Sequence, residues 1–80
     1  MVNNKDKRLE AFGRLLDVMD ELRVKCPWDR VQTFESLRSS TIEETYELVD
    51  ALLDHDMKNV KKELGDLLLH VVFYSKIASE

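Results

Sequence analysis

The chain is predicted to be all-α, an antiparallel helical hairpin preceded by an N-terminal helix and assembling as an oligomer into a helical bundle. Three observations predict it. Apolar residues recur at three- and four-residue intervals in the first stretch, Leu9, Phe12, Leu15, Leu16, Met19 and Leu22, which is helical spacing. Asp54-His55-Asp56 is a polar connector of the length found between antiparallel helices. After Asp66 no breaker interrupts the chain, and Val60, Leu64, Leu67 and Val71 keep the helical spacing into the apolar run Leu67 to Tyr74, which favours helix over the strand that this run would suggest in isolation.

The elements follow in order. A first amphipathic helix runs from about Asp6 to Val24. Pro27 ends that pattern, and Cys26 to Val31 reads as a loop, because the residue before a proline is pushed away from helical geometry. Thr33, Glu35 and Leu37 start a short helix leading into a longer one. Ser40-Thr41-Ile42-Glu43 fits a capping box with Ser40 as N-cap. The second main helix then runs to about Leu53 and packs through Ile42, Tyr46, Val49 and Leu53. Asp56 is the N-cap of a third helix continuing towards Ala78.

Two acidic clusters lie on that hairpin, Glu43-Glu44-Thr45-Tyr46-Glu47 and Glu63-Leu64-Gly65-Asp66. Residues three and four apart project from one side of a helix. If residues 54 to 56 form the turn, positions whose numbers sum to about 110 lie level, so Glu47 faces Glu63 and Glu44 faces Asp66. Four carboxylates meeting at one point repel one another unless a cation sits between them. A hard divalent cation bound through oxygen fits, with magnesium first and manganese as a substitute.

Eighty residues make one domain, 1–80, with a small core. Its single cysteine, Cys26, excludes an internal disulfide and suits a reducing cytoplasm. No stretch approaches the roughly 20 apolar residues of a membrane helix, and Met1 to Arg8 is polar rather than signal-like, so a soluble cytoplasmic protein without membrane partners is expected. The net charge of −4 is unevenly placed: residues 43 to 66 carry eight acids against three lysines, a local balance of −5. Such a surface repels a nucleic-acid backbone, so no nucleic-acid partner is expected. Gly13 and Gly65 are the only glycines, which argues against a phosphate-cradling P-loop.

Four blocks in order carry a resemblance to a known family: Cys26-Pro27-Trp28-Asp29, Gln32-Thr33-Phe34-Glu35-Ser36-Leu37, Glu43-Glu44-Thr45-Tyr46-Glu47, and Lys62-Glu63-Leu64-Gly65-Asp66-Leu67-Leu68-Leu69. From about Leu15 to the C-terminus the chain resembles the MazG branch of the all-α nucleoside triphosphate pyrophosphohydrolases. The resemblance implies magnesium-dependent hydrolysis of a nucleoside triphosphate to the monophosphate and pyrophosphate. It makes Glu44, Glu47, Glu63 and Asp66 the metal ligands. It also implies a homodimer or tetramer, for which the apolar side of the third helix, with Val71, Phe73, Tyr74 and Ile77, offers an interface. Longer relatives continue with further helical and basic segments, so a fragment, a degenerate form or a minimal module is expected.

Other residues keep two readings each. Glu43 either orients an attacking water or a ligand, or completes the helix cap; Asp50, one turn beyond Glu47, reads as a solvated acid. Trp28 stacks on a nucleobase or lids a small core, and Lys25, Arg30 and Lys62 contact phosphates or are ordinary surface charges. His70 reads as a hydrogen-bonded core or interface histidine, since magnesium disfavours imidazole. Two other function classes compete. A di-iron or di-manganese carboxylate bundle calls for Glu-x-x-His pairs, and neither His55 nor His70 stands three residues after a glutamate. A non-catalytic helical interaction or regulatory module has the intact acidic motifs against it.

Overall fold

The structure, a computed structural model, describes residues 4–80; the polar Met1–Asn3 at the head of the chain lies outside the described residues. Four helices and no strand occupy that range: α1 (Asn4–Lys25), α2 (Pro27–Arg30), α3 (Phe34–Leu53) and α4 (Met57–Ala78). They fall into two compact units, the first ending at Val31 and the second spanning Gln32–Glu80. Among the described residues no helix is long and apolar enough to cross a membrane.

In the first unit α1 closes with Arg23 and Lys25 in its last turn, where cations favour the carbonyl end of the helix. Segment 26–31, expected to be a loop, contains the one-turn helix α2 instead. Proline explains both the break and the restart. Pro27 cannot continue α1, yet at the first position of a helix its fixed φ is already helical and its missing N–H is not needed. Arg23 Nη1 donates to the carbonyl of Asp29 at 2.7 Å and ties the short helix to α1.

In the second unit α3 begins at Phe34, well before the expected Ser40 cap. Thr33 is the N-cap: its Oγ1 accepts from Ser36 N at 3.1 Å, and Ser36 Oγ accepts from Thr33 N at 2.8 Å. This reciprocal pair satisfies two otherwise orphaned amides, and nothing between Phe34 and Ile42 breaks a helix, so the two expected segments merge. Ser40 and Glu43 are therefore interior residues, and the capping reading of Glu43 falls.

The link to α4 is a Schellman turn. Asp56 N donates to Ala51 O at 3.1 Å and His55 N to Leu52 O at 3.2 Å, with His55 at φ 53° in the left-handed position that glycine ordinarily fills. Asp56 caps α4 as expected, accepting from Asn59 N at 3.2 Å and from Asn59 Nδ2 at 2.8 Å.

The hairpin packs through Leu37, Thr41, Glu44, Leu48 and Ala51 of α3, a run at helical spacing that is buried or half-buried throughout. The stripe expected to pack, Ile42, Tyr46, Val49 and Leu53, is exposed; Tyr46 retains 70% and Leu53 72% of its surface. The two stripes differ by one residue, roughly 100° around the helix, and the more polar one turns inward. On α4, Val60, Glu63, Leu67, His70, Tyr74 and Ile77 form the corresponding buried and half-buried run. Phe73 is buried within the chain and Tyr74 and Ile77 are half-buried, so of the four residues expected at an intermolecular interface only Val71 is largely exposed.

Candidate metal centre

Because the inward run of each helix contains acids, the hairpin brings carboxylates into its own seam. One oxygen each from Glu44, Glu63 and Asp66 lies within 4.8 Å of the others. Glu63 is buried, with 6% of its surface exposed, while Glu44 and Asp66 are half-buried. Glu44 and Asp66 are level by the expected register. Glu47 is exposed and stands outside this three-residue group, but its carboxyl abuts Glu63 closely enough to exchange a hydrogen bond, which raises its pKa.

The electrostatics follow from crowding. Oε2 of Glu44 and Oε2 of Glu63 are both buried without a hydrogen-bond partner. When Glu44 takes up a proton it can donate to Glu63, and this pushes its pKa up to about 7, with burial and the charges of Glu47, Asp66 and Glu63 acting in the same direction. Glu63 is held below the usual carboxylate range, first by that hydrogen bond and then by Lys62. Lys62 Nζ donates to Glu63 Oε1 at 3.1 Å and to Asp66 Oδ2 at 3.3 Å, which raises the pKa of its ammonium. A single lysine on the rim does not balance the carboxylates.

These residues fit a hard divalent cation. Buried carboxylate oxygens without donors are costly, and a cation supplies the missing partner. With bonds to oxygen of about 2.1 Å, magnesium draws its ligand oxygens close together, and three oxygens already within 4.8 Å of one another are near enough to share one ion after side-chain adjustment. All-oxygen donors of this kind suit magnesium, manganese or calcium.

Beside the group lies an open groove of about 260 Å³, lined by Glu47, Asp50, Asp54, Asp56, Asn59, Lys62 and Glu63, with Ala51 among them. Asp50 is exposed, as expected of a solvated acid, yet it borders this groove. Asp54, Asp56 and Asn59 stand outside the acidic motifs of the sequence. The hairpin register, in which level positions sum to about 110, sets residue 50 level with 60 and 51 with 59 and is the signal that points to this groove. Glu43 is exposed next to the group. Trp28, Lys25 and Arg30 belong to the first unit: Trp28 sits in α2 with 60% of its surface exposed, Lys25 donates to Glu21 at 2.9 Å, and Arg30 is exposed at the end of α2. His70 takes the hydrogen-bonded role, with Nδ1 2.8 Å from Thr41 Oγ1.

Residues 32–80, the whole hairpin unit, match the family described as the MazG nucleotide pyrophosphohydrolase domain. The chain belongs to the MazG family. It is similar to the nucleoside triphosphate pyrophosphohydrolase of Escherichia coli (strain K12), 49% identical over 75 residues that make up 90% of this chain and 28% of the relative. The nucleoside triphosphate pyrophosphohydrolase/pyrophosphatase MazG of Thermotoga maritima is 48% identical over 71 residues, 86% of this chain and 28% of its own. For the nucleoside triphosphate pyrophosphohydrolase of Mycobacterium tuberculosis the identity is 47% over 70 residues, 84% and 22% of the two chains. This MazG chain thus spans 22–28% of the length of these curated relatives.

Proposed function

We propose that the chain forms the metal-binding catalytic hairpin of a nucleoside triphosphate pyrophosphohydrolase, which cleaves its substrate to the monophosphate and pyrophosphate. The observation that carries this reading is the pair of buried, partnerless oxygens on Glu44 and Glu63, within the segment that matches the family. Glu44, Glu63 and Asp66 hold magnesium, or manganese in its place, and Glu47 joins them by a side-chain rotation. Magnesium held there would offset the charge of the triphosphate and lower the pKa of an attacking water.

The chain's own residues supply position and charge. Glu43, exposed beside the group, orients the attacking water. Lys62 stays an ammonium because two carboxylates stabilise its charge, and it turns from them to the phosphates when substrate arrives. Trp28, an exposed indole, is assigned to the nucleobase, and Lys25 and Arg30 to phosphate, on their chemistry. No covalent nucleophile is needed when positioning and electrostatics carry the reaction. The native assembly is a homodimer or tetramer of a cytoplasmic protein.

The test is incubation of the chain with a panel of nucleoside triphosphates and magnesium. Release of pyrophosphate, abolished by chelation, is the expected result. Release of single phosphate, or no turnover by a fully helical chain in magnesium, overturns the reading.

A further inference from the structure

One turn away from the carboxylates, the hairpin seam carries a second polar cluster that the proposed reaction does not use. Thr41 lies one turn before Glu44 on α3, and His70 one turn after Asp66 on α4. Thr41 Oγ1 stands 2.8 Å from His70 Nδ1 and 2.5 Å from the Tyr74 hydroxyl, and it also donates to Leu37 O at 3.1 Å. The Tyr74 ring is in turn flanked by Phe34, at 6.0 Å between centroids, and by His70 edge-on at 6.3 Å.

One assignment makes all three contacts hydrogen bonds at once. A threonine hydroxyl has one proton and two lone pairs, and Leu37 O can only accept. With the Thr41 proton on Leu37 O, both remaining contacts point inward: His70 Nδ1–H and Tyr74 O–H donate to Thr41 Oγ1. Both lone pairs of one α3 oxygen are then filled by two side chains from successive turns of α4. A slide of either helix breaks both bonds together, whereas apolar contacts at the same place tolerate it.

We propose that Thr41, His70 and Tyr74 form a latch that sets the register of α3 against α4, and through it the separation of Glu44 from Glu63 and Asp66, making all three positioning residues for the cation site. This rests on the cation reading of the carboxylate group. Glu44 and Asp66 come from opposite helices, so their spacing is only as definite as the helix register, and a cation with short oxygen bonds is sensitive to that spacing. Partners that orient metal ligands from outside the coordination sphere change affinity by about 10- to 100-fold; a latch one turn away falls at the lower end.

Manganese titration calorimetry on the full chain tests it, with circular dichroism confirming helicity. Thr41→Val keeps the side chain's shape but removes the acceptor, and it weakens manganese about tenfold, while Thr41→Ser restores binding. Tyr74→Phe removes one of the two bonds, weakens binding by less, and serves if Thr41→Val does not fold. A folded Thr41→Val or Tyr74→Phe chain that binds manganese as tightly as the unaltered chain overturns the latch alone. Failure of the unaltered chain to bind manganese overturns the cation reading and the latch with it. Imidazole ¹⁵N shifts give a metal-free check: neutral His70 carries its proton on Nδ1, and a proton on Nε2 overturns the bond directions.

Discussion

Glu44 and Glu63 face each other across the α3–α4 hairpin, each with a buried carboxylate oxygen that no donor reaches. The seam of a hairpin is ordinarily its most apolar part. Here the acids occupy it at the helical spacing of core residues, so the fold itself holds charge together that water would otherwise separate.

Stability without a cation should fall as pH rises between about 4.5 and about 7. Glu44 is pushed up from 4.5 to about 7 in the folded chain, so the folded state binds the proton more tightly than the unfolded one across that window, and rising pH removes the advantage. Glu63 is held below its ordinary value and works the other way, losing its contribution only as pH falls below about 4.5. Urea midpoints in chelator across this range are the measurement; a flat or rising profile contradicts it. Manganese affinity should rise over the same range, by up to about tenfold per pH unit, as Glu44 gives up its proton.

Glu63→Gln should separate stability from function. The amide donates to Glu44, relieves the repulsion and raises Tm in chelator. The same change removes the most buried carboxylate of the group, so manganese affinity and any pyrophosphate release should drop by about 100-fold or more. A variant that loses Tm while keeping affinity would assign Glu63 a structural role instead.

Lys62→Ala tests whether this lysine serves the substrate. Its ion pairs are solvent-exposed on the lysine side, so stability should change little. Removing a competitor for Glu63 and Asp66 should tighten manganese slightly, whereas KM for a triphosphate should rise several-fold. An unchanged KM would leave Lys62 as a surface charge.

His55→Gly should stabilise the hairpin. His55 holds a positive φ that carries a steric penalty of about 1 kcal/mol for a residue with a Cβ, partly offset by glycine's greater freedom when unfolded. The net gain of about 0.5 kcal/mol corresponds to roughly 2–4 °C in Tm. His55→Val should lower Tm by more than that, since a branched side chain suits this conformation least. Thermal melts of the three chains decide the order.

The exposed stripe Ile42, Tyr46, Val49 and Leu53 on α3 should be covered in a homodimer or tetramer, since apolar patches of this extent favour association. Light scattering at micromolar concentration should give a mass above that of one chain, and Tyr46→Lys together with Leu53→Lys should lower it without loss of helicity. A well-folded monomer would refute the assembly.

Hydrophobic spacing and capping residues are local, and what depends on them was legible in the sequence: α1 nearly to its ends, the Asp54–Asp56 connection, Asp56 as cap of α4, and helix rather than strand from Leu67 to Tyr74. The short range of an N-cap bond also explains the errors. Ser40 and Thr33 both satisfy a cap pattern, and Thr33 prevails because an unbroken helix can start there. Pro27 both stops one helix and starts another, and only the first of these roles is legible from the residue alone. The level pairing of Glu44 with Asp66 followed from helix geometry and a three-residue turn. Tertiary structure alone decided which face of α3 turned inward, because the rotation of one helix against another is set by a turn conformation and a packing partner distant in sequence. That choice left Tyr46 and Leu53 in water, placed Thr41 against His70 and Tyr74, and buried one carboxylate oxygen each of Glu44 and Glu63 in the seam.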